Sequence, residues 1–267
     1  MSQNKPKPRR VKAWVISNEE LLPQTYLLWL RAPEIASIAQ PGQFVMAKCG
    51  ELILRRPFSL HRKERGKLAL LFNRVGQGTH WLAKRQKGDS LDLLGPLGNG
   101  FSVPPKSRHL LLVAGGIGLA PLFFLAQREL NLGRQVTLLL GARSASLLYP
   151  EALLPPGIES VVATEDGSAG RKGLVTDLLP QFSSGADQIF ACGPLPMYRT
   201  MSKMNLGKPV QVVLEQMLGC GVGACRGCSV ETQTGLKRVC REGPVFNLEE
   251  ILWEKVKEPR PSQVASK

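Results

Sequence analysis

The chain has 267 residues and a formal net charge of +14, from 35 Lys and Arg against 21 Asp and Glu. Its 43% apolar content is enough for two or three compact units and excludes a wholly disordered chain. The longest apolar run, at 110–126, is broken by Gly115, Gly116, Gly118 and Pro121, which excludes a plain membrane span.

The first residues, MSQNKPKPRR, lack the apolar stretch of a secretory signal, so the expected location is the cytoplasm. There, clustered cysteines point to metal before disulfide. Lys5, Lys7, Arg9, Arg10 and Lys12 make one basic end, expected as a mobile arm. No nucleic-acid motif accompanies the charge. It reads as solubility, with attraction for phosphorylated cofactors or an acidic protein partner, and neither nucleic acid nor membrane is an expected partner.

From Val11 to about Val103, short apolar runs alternate with turns (AWVIS, TYLLWL, QFVMAK, KLALLFN, SLDLLGP), the pattern of a small antiparallel barrel or sandwich. One helix is expected over 79–87, opened by Gly78 and Thr79 and closed by Gly88. The texture changes at Pro104 and Pro105. HLLLVAGGIGLAPLFFLAQREL reads as strand, glycine turn and helix, followed by strands QVTLLLGA and IESVVATED. A helix at LVTDLLPQF (174–182), a strand DQIFACG and a helix from Pro196 to Asn205 complete an alternation that implies a parallel sheet covered on both faces. After KPVQVVLEQ comes a Gly-rich, cysteine-bearing segment, and the end, KEPRPSQVASK, reads as a disordered tail. The expected class is therefore a multidomain α+β chain: an antiparallel β-barrel over 1–104, an α/β unit with a parallel sheet over 105–210, and a small C-terminal cysteine unit over 211–267.

Cys220, Cys225 and Cys228 stand in C-x4-C-x2-C spacing, and Cys240 follows after eleven residues. This three-plus-one order is that of a plant-type [2Fe–2S] site. Zinc also accepts four thiolates, although its usual short pairs differ. The intervening glycines let backbone amides approach the sulfurs, where hydrogen bonds tune the potential.

Arg55 and Arg56 precede Phe58 and Ser59 in LILRRPFSL. An arginine fork suits a pyrophosphate, an aromatic suits a flavin face, and a hydroxyl suits its ring atoms. Gly76, Gly78 and Thr79 open a helix whose amides suit the same phosphates, so both motifs fit one dinucleotide. Gly115, Gly116 and Gly118 mark a strand-to-helix turn that lacks the G-x-G-x-x-G spacing. It serves either close phosphate approach or packing. Cys192, Gly193 and Pro194 fall at the carboxyl end of a parallel strand, where ligands of open α/β sheets bind. Together these describe a nicotinamide site.

The ordered set RRPFS, GQGT, GGIGLAP, ACGPLPM, CGVGACRGC and VCREGPVF resembles the electron-transfer subunits of class 1B dihydroorotate dehydrogenases, within the wider ferredoxin-NADP reductase superfamily. The resemblance implies a flavin-binding barrel, a nicotinamide domain and a [2Fe–2S] domain. FAD would be held by Arg56, Pro57, Phe58 and Ser59, by Leu71, Phe72 and Asn73, and by Gly78 and Thr79. Relatives commonly carry arginine where this chain has Asn73, and Arg74 is its neighbour. Cys220, Cys225, Cys228 and Cys240 would hold the cluster. The implied partner is an FMN-containing catalytic subunit in a heterotetramer of two plus two. Electrons would pass from it through [2Fe–2S] and FAD to NAD+ in pyrimidine biosynthesis, with no dihydroorotate acid–base residue in this chain. The alternative is the related subunit of a ferredoxin:NADP+ oxidoreductase or sulfide dehydrogenase. Arg143 and Ser144 leave NAD against NADP open.

Cys49 is expected in the core, and His61, His80 and His109 lack ligand spacing. Glu215 reads as a solvated charge, and Asp166, Gly167 and Ser168 as a turn.

Overall fold

The computed structural model describes residues 7–257. Six strands, β1 (Arg9–Leu22), β2 (Thr25–Arg31), β3 (Phe44–Ala47), β4 (Arg56–Glu64), β5 (Lys67–Asn73) and β6 (Ser90–Leu97), close into an antiparallel barrel in the order β1-β2-β5-β4-β3-β6. The apolar runs of β2 and β5 are nearly continuous because both faces are covered. Tyr26, Leu28 and Leu30, with Leu68, Leu70 and Phe72, fill the barrel. Leu27, Ala69 and Leu71 between them join a core shared with the second unit.

The basic end is not an arm from Arg9 onward. Arg9 to Lys12 pair with Gly95 to Asp92, and Arg10 grips the Asp92 carboxylate at 2.7 Å. Backbone pairing of a barrel strand overrides the charge run. Lys5 lies outside the described residues, as does the expected tail beyond Lys257.

The barrel carries two short helices, α1 (Pro33–Ala36) and α2 (Gln77–Ala83). The latter starts and stops earlier than the expected 79–87. Thr79 reaches back as a cap, its Oγ1 accepting the amides of Val75 and Gly76 at 2.8 and 3.0 Å. At the other end Asn18 Nδ2 donates to the carbonyls of Leu82, Ala83 and Arg85, ending the helix from a distant strand.

The second unit runs β7 (His109–Gly115), α3 (Leu119–Asn131), β8 (Gln135–Ala142), β9 (Glu159–Thr164), β10 (Arg171–Lys172), α4 (Leu179–Phe182), β11 (Gln188–Cys192), α5 (Leu195–Met201) and β12 (Val210–Val213). Where a helix over 174–182 was expected, a 3-10 turn (Val175–Leu178) precedes the single turn of α4. Pro180 lacks the amide that a continuous helix would need there. Eight consecutive residues of α3, Leu119 to Ala126, are buried because the helix packs between the sheet and β4.

The last segment forms a hairpin, β13 (Ser229–Thr232) and β14 (Gly235–Arg238), then β15 (Val245–Asn247). β15 adds antiparallel to β12, pairing Phe246 with Val212, so the large sheet runs β10-β9-β8-β7-β11-β12-β15. Cys228, Val230, Val239, Cys240 and Phe246 share one core with Leu111, Ile189 and Tyr198 of the second unit. No helix among the described residues is long and apolar enough to cross a membrane.

Candidate functional site

The two flavin motifs meet. Gly78 is buried under the Arg56 stem, and a Cβ there would stand 2.9 Å from Arg56 Cγ. Only glycine lets α2 begin this close to β4, and that bareness is what an approaching phosphate also needs. Pro57 is exposed and Ser59 half-buried. Phe58 instead faces the barrel core, edge-on to Phe72 at 5.6 Å, while Phe72 stacks on Tyr26 at 5.7 Å. Strand alternation therefore splits the middle group: Leu71 and Asn73 look outward, Phe72 inward. Thr25 Oγ1 donates to Asn73 Oδ1 at 2.9 Å, and Arg74 Nε donates to Gln24 Oε1 at 2.7 Å.

A cavity of about 860 Å³ opens between the barrel and the sheet. Leu71, Asn73 and Arg74 line one wall, and Gly115 to Leu119 with Gly193 and Pro194 line the other. It lies at the carboxyl ends of the parallel strands, as expected for such sheets. Cys192 stands behind Gly193, fully buried, and burial pushes its thiol well up. The Tyr198 hydroxyl accepts the Gly193 amide at 2.9 Å and donates to Val213 O at 2.6 Å, fixing the turn that bears Gly193 and Pro194. Arg143 and Glu165 also face the cavity.

One lining residue, Thr176, carries no signal in the sequence, and another, Glu215, reads there only as a solvated charge. Thr176 lines the cavity at 2% exposure, and its buried Oγ1 has no hydrogen-bond partner among the described residues. Glu215 is exposed on the cavity wall, as expected of a solvated charge, and desolvation raises its carboxyl above the ordinary carboxylate range. The signal available for Glu215 was a lone acid at the end of a parallel strand.

The four cysteines of the cluster motif come together as two pairs. Cys228 Sγ and Cys240 Sγ are 3.3 Å apart, and the Cys225 amide donates to Cys220 Sγ at 3.4 Å. The Gly223 amide joins the pairs, donating to Cys240 Sγ at 3.1 Å. Burial pushes the Cys220 thiol up, but the amides of Cys225 and Val222 outweigh it and bring it down to about 6. Among the described residues no three His, Cys, Asp or Glu side chains close on a single ion. Two pairs of thiols with amides aimed at sulfur fit a dinuclear cluster, two thiolates to each iron, better than one tetrahedral zinc.

The cysteine loop rests on the barrel. A Cβ on Gly221 would stand 2.7 Å from Met46 Cγ, and Met46 pairs directly with Pro57 of the flavin motif. At its start the same loop follows Glu215 of the cavity wall. One short segment thus packs on β3, the neighbour of the strand that bears Arg56 to Ser59, and begins at the cavity wall.

Residues 215–252 match the family model described as the iron-sulfur cluster binding domain of dihydroorotate dehydrogenase B. The dihydroorotate dehydrogenase B (NAD(+)) electron transfer subunit of Desulforamulus reducens is 42% identical over 256 residues, covering 91% of this chain and 98% of the relative. The chain belongs to this family. The corresponding subunit of Geobacillus thermodenitrificans is 38% identical over 253 residues, with 91% and 98% covered. Among solved structures, an NADH-dependent reduced ferredoxin-NADP oxidoreductase, described in connection with flavin-based electron bifurcation, superposes with a TM-score of 0.83. It is 29% identical and the match covers 91% of this chain and 90% of that one. The expected barrel, parallel-sheet unit and iron–sulfur region are all present in that family frame.

Proposed function

We propose that this chain carries electrons between an FMN-containing catalytic subunit, which oxidises dihydroorotate, and NAD+. The observation that carries the reading is the contact of Gly221 with Met46, whose strand partner is Pro57. It brings the residue after Cys220 against β3, the strand that pairs with the Arg56–Ser59 motif. When bound, FAD exchanges hydride with nicotinamide and [2Fe–2S] carries single electrons.

The residues divide the work by location. Arg56, with Gly78 at the start of α2, neutralises and admits the flavin pyrophosphate, while Pro57, Phe58 and Ser59 shape the strand beneath it. Leu71 and Asn73 present the barrel wall to the cavity; Phe72 supports them from inside, and Thr79 caps α2. Gly115, Gly116 and Gly118, with Gly193 and Pro194, admit the nicotinamide dinucleotide, and Cys192 fills the core behind them. Cys220, Cys225, Cys228 and Cys240 would supply the four thiolates that hold the iron–sulfur cluster.

We assign 1–104 to the flavin unit, 105–210 to the nicotinamide unit and 211–267 to the cluster unit, with β12 and β15 stitching the last two together. The working form is a cytoplasmic heterotetramer of two catalytic and two electron-transfer subunits. The second reading, a subunit of a ferredoxin-NADP oxidoreductase, is favoured only by the 0.83 superposition, at lower identity than the dihydroorotate dehydrogenase B relatives.

The deciding experiment is an anaerobic visible-absorbance titration of the purified chain with NADH. Bleaching of a flavin band and of the broad iron–sulfur shoulder supports the reading. A reconstituted protein that stays colourless refutes it. Co-purification with an FMN protein, rather than a larger iron–sulfur subunit, separates the two assemblies.

A further inference from the structure

The seam between the two cavity walls contains a buried polar chain that the function described above does not use. His61, near the end of β4, is fully buried. Its Nδ1 lies 3.1 Å from the carbonyl oxygen of Ala120, and its Nε2 lies 3.2 Å from the Tyr149 hydroxyl. A carbonyl only accepts, so Nδ1 carries the hydrogen and Nε2 offers its lone pair. Tyr149 therefore donates to Nε2, and its oxygen accepts from Arg62 Nη2. Arg62 also donates to Leu153 O at 2.9 Å, with its guanidinium 4.2 Å from the centre of the Phe123 ring. The His61 ring packs on the same Phe123 at 4.5 Å. The order of donors is fixed throughout: Arg62 to Tyr149, Tyr149 to His61, His61 to Ala120.

The elements joined in this way carry the two halves of the site. β4 opens with Arg56 to Ser59 of the flavin motif. Ala120 lies in the first turn of α3, directly after the Gly115 to Gly118 loop. Tyr149 follows β8, whose end at Gly141 and Ala142 lines the cavity, and Tyr149 lines it too. Apolar packing alone would close this seam at less desolvation cost, but it lets a helix slide along a strand. A directed hydrogen-bond chain holds one register.

We propose that His61 is a positioning residue for hydride transfer, holding the nicotinamide loop in register with the flavin strand through Ala120 and Tyr149. The inference rests on the flavin and nicotinamide assignments made above. Transfer between two bound rings depends steeply on their spacing, and a misplacement of about 1 Å costs up to roughly a hundredfold in rate.

The test is anaerobic stopped-flow reduction of the reconstituted chain by NADH, comparing wild type with Tyr149→Phe, His61→Phe and His61→Asn. The readouts are the limiting rate of flavin bleaching, the NADH Kd and the bound flavin per chain. Tyr149→Phe removes one hydroxyl and is expected to slow the limiting rate roughly tenfold, with flavin content unchanged and Kd within about twofold. His61→Phe is expected to slow it further. His61→Asn, which keeps a donor for Ala120 O, is expected to recover part of the loss. Wild-type limiting rates in flavin-loaded Tyr149→Phe and His61→Phe would overturn the proposal, as would a loss confined to Kd. Should His61→Phe fail to fold, Tyr149→Phe decides. A wild-type protein that NADH does not bleach would refute the cofactor assignment instead.

Discussion

A methyl group on Gly118 would stand 2.0 Å from the carbonyl oxygen of Cys192. The loop after β7 is pressed onto the end of β11, so the glycine there is required by contact with backbone that cannot yield. Gly116, two residues earlier, has φ +54 and open space around it. Gly118→Ala is expected to destabilise the protein by about 1–3 kcal/mol and to weaken NADH binding, because the loop must move. Gly116→Ala is expected to cost about 1–2 kcal/mol through its backbone conformation and to weaken NADH binding less than Gly118→Ala does. Thermal melts and NADH titrations of the two variants should show this difference, and equal behaviour would contradict it.

The pairing of Cys220 with Cys225 and of Cys228 with Cys240 predicts two irons per chain and no zinc. Each single Cys→Ser variant among the four should lose the visible iron–sulfur absorbance. Cys49 is buried and its thiol is pushed up to about 11, chiefly by burial, so Cys49→Ala should retain both irons. Metal analysis of the anaerobically purified variants checks both statements.

Glu215 is the one carboxylate that both lines the cavity and leads into the cysteine loop. Desolvation on the cavity wall raises its carboxyl above the ordinary carboxylate range. Glu215→Gln should slow flavin bleaching by NADH on the order of tenfold while leaving flavin and iron content intact. A normal rate would return Glu215 to the role of a passive wall.

His61 sets a pH dependence of stability. Burial, helped by Arg62, lowers its folded-state value to about 3, against 6.5 ordinarily. Between these limits the unfolded chain binds a proton that the folded chain refuses. The contribution is therefore complete above pH 6.5 and is lost as pH falls toward about 3. At pH 5 the loss relative to pH 7 is about 2 kcal/mol. Denaturant unfolding at these two pH values should show it, and His61→Phe should flatten the slope over that interval.

Arg226 sits between Cys225 and Gly227, exposed, with φ +57, a left-handed conformation that favours glycine. A charged side chain kept at such a position on the rim of the thiol loop fits contact with an acidic face of the catalytic subunit. Arg226→Glu should slow association with that subunit most strongly at low salt. Arg226→Gly should fold at least as stably as wild type and still assemble more slowly. Surface plasmon resonance over a salt series measures this, and unchanged association at low salt for both variants would remove the docking role.

The barrel, the parallel sheet and the thiol set were legible because each has a local signature. Strand alternation, the strand–glycine–helix run at 110–126 and C-x4-C-x2-C spacing are all read within a few residues. The misreadings lie where a distant partner overrides the local pattern. Asn18 ends α2 and β6 captures the basic start of β1. The helix expected over 174–182 is the exception, interrupted locally by Pro180. Phe58 carried the right residue type for a flavin face, but strand pleat turns it to Phe72.

The fold class, the cofactor classes and the four thiols are readable from the order of residues, since they depend on neighbours along the chain. Three-dimensional packing alone shows that Met46 separates Gly221 from Pro57, that Glu215 and Thr176 line one cavity, and that His61 bridges β4 and α3. Those relations join residues far apart in sequence. They arise from how sheets and helices stack, and side-chain packing of that kind leaves no periodic trace in the order of the amino acids.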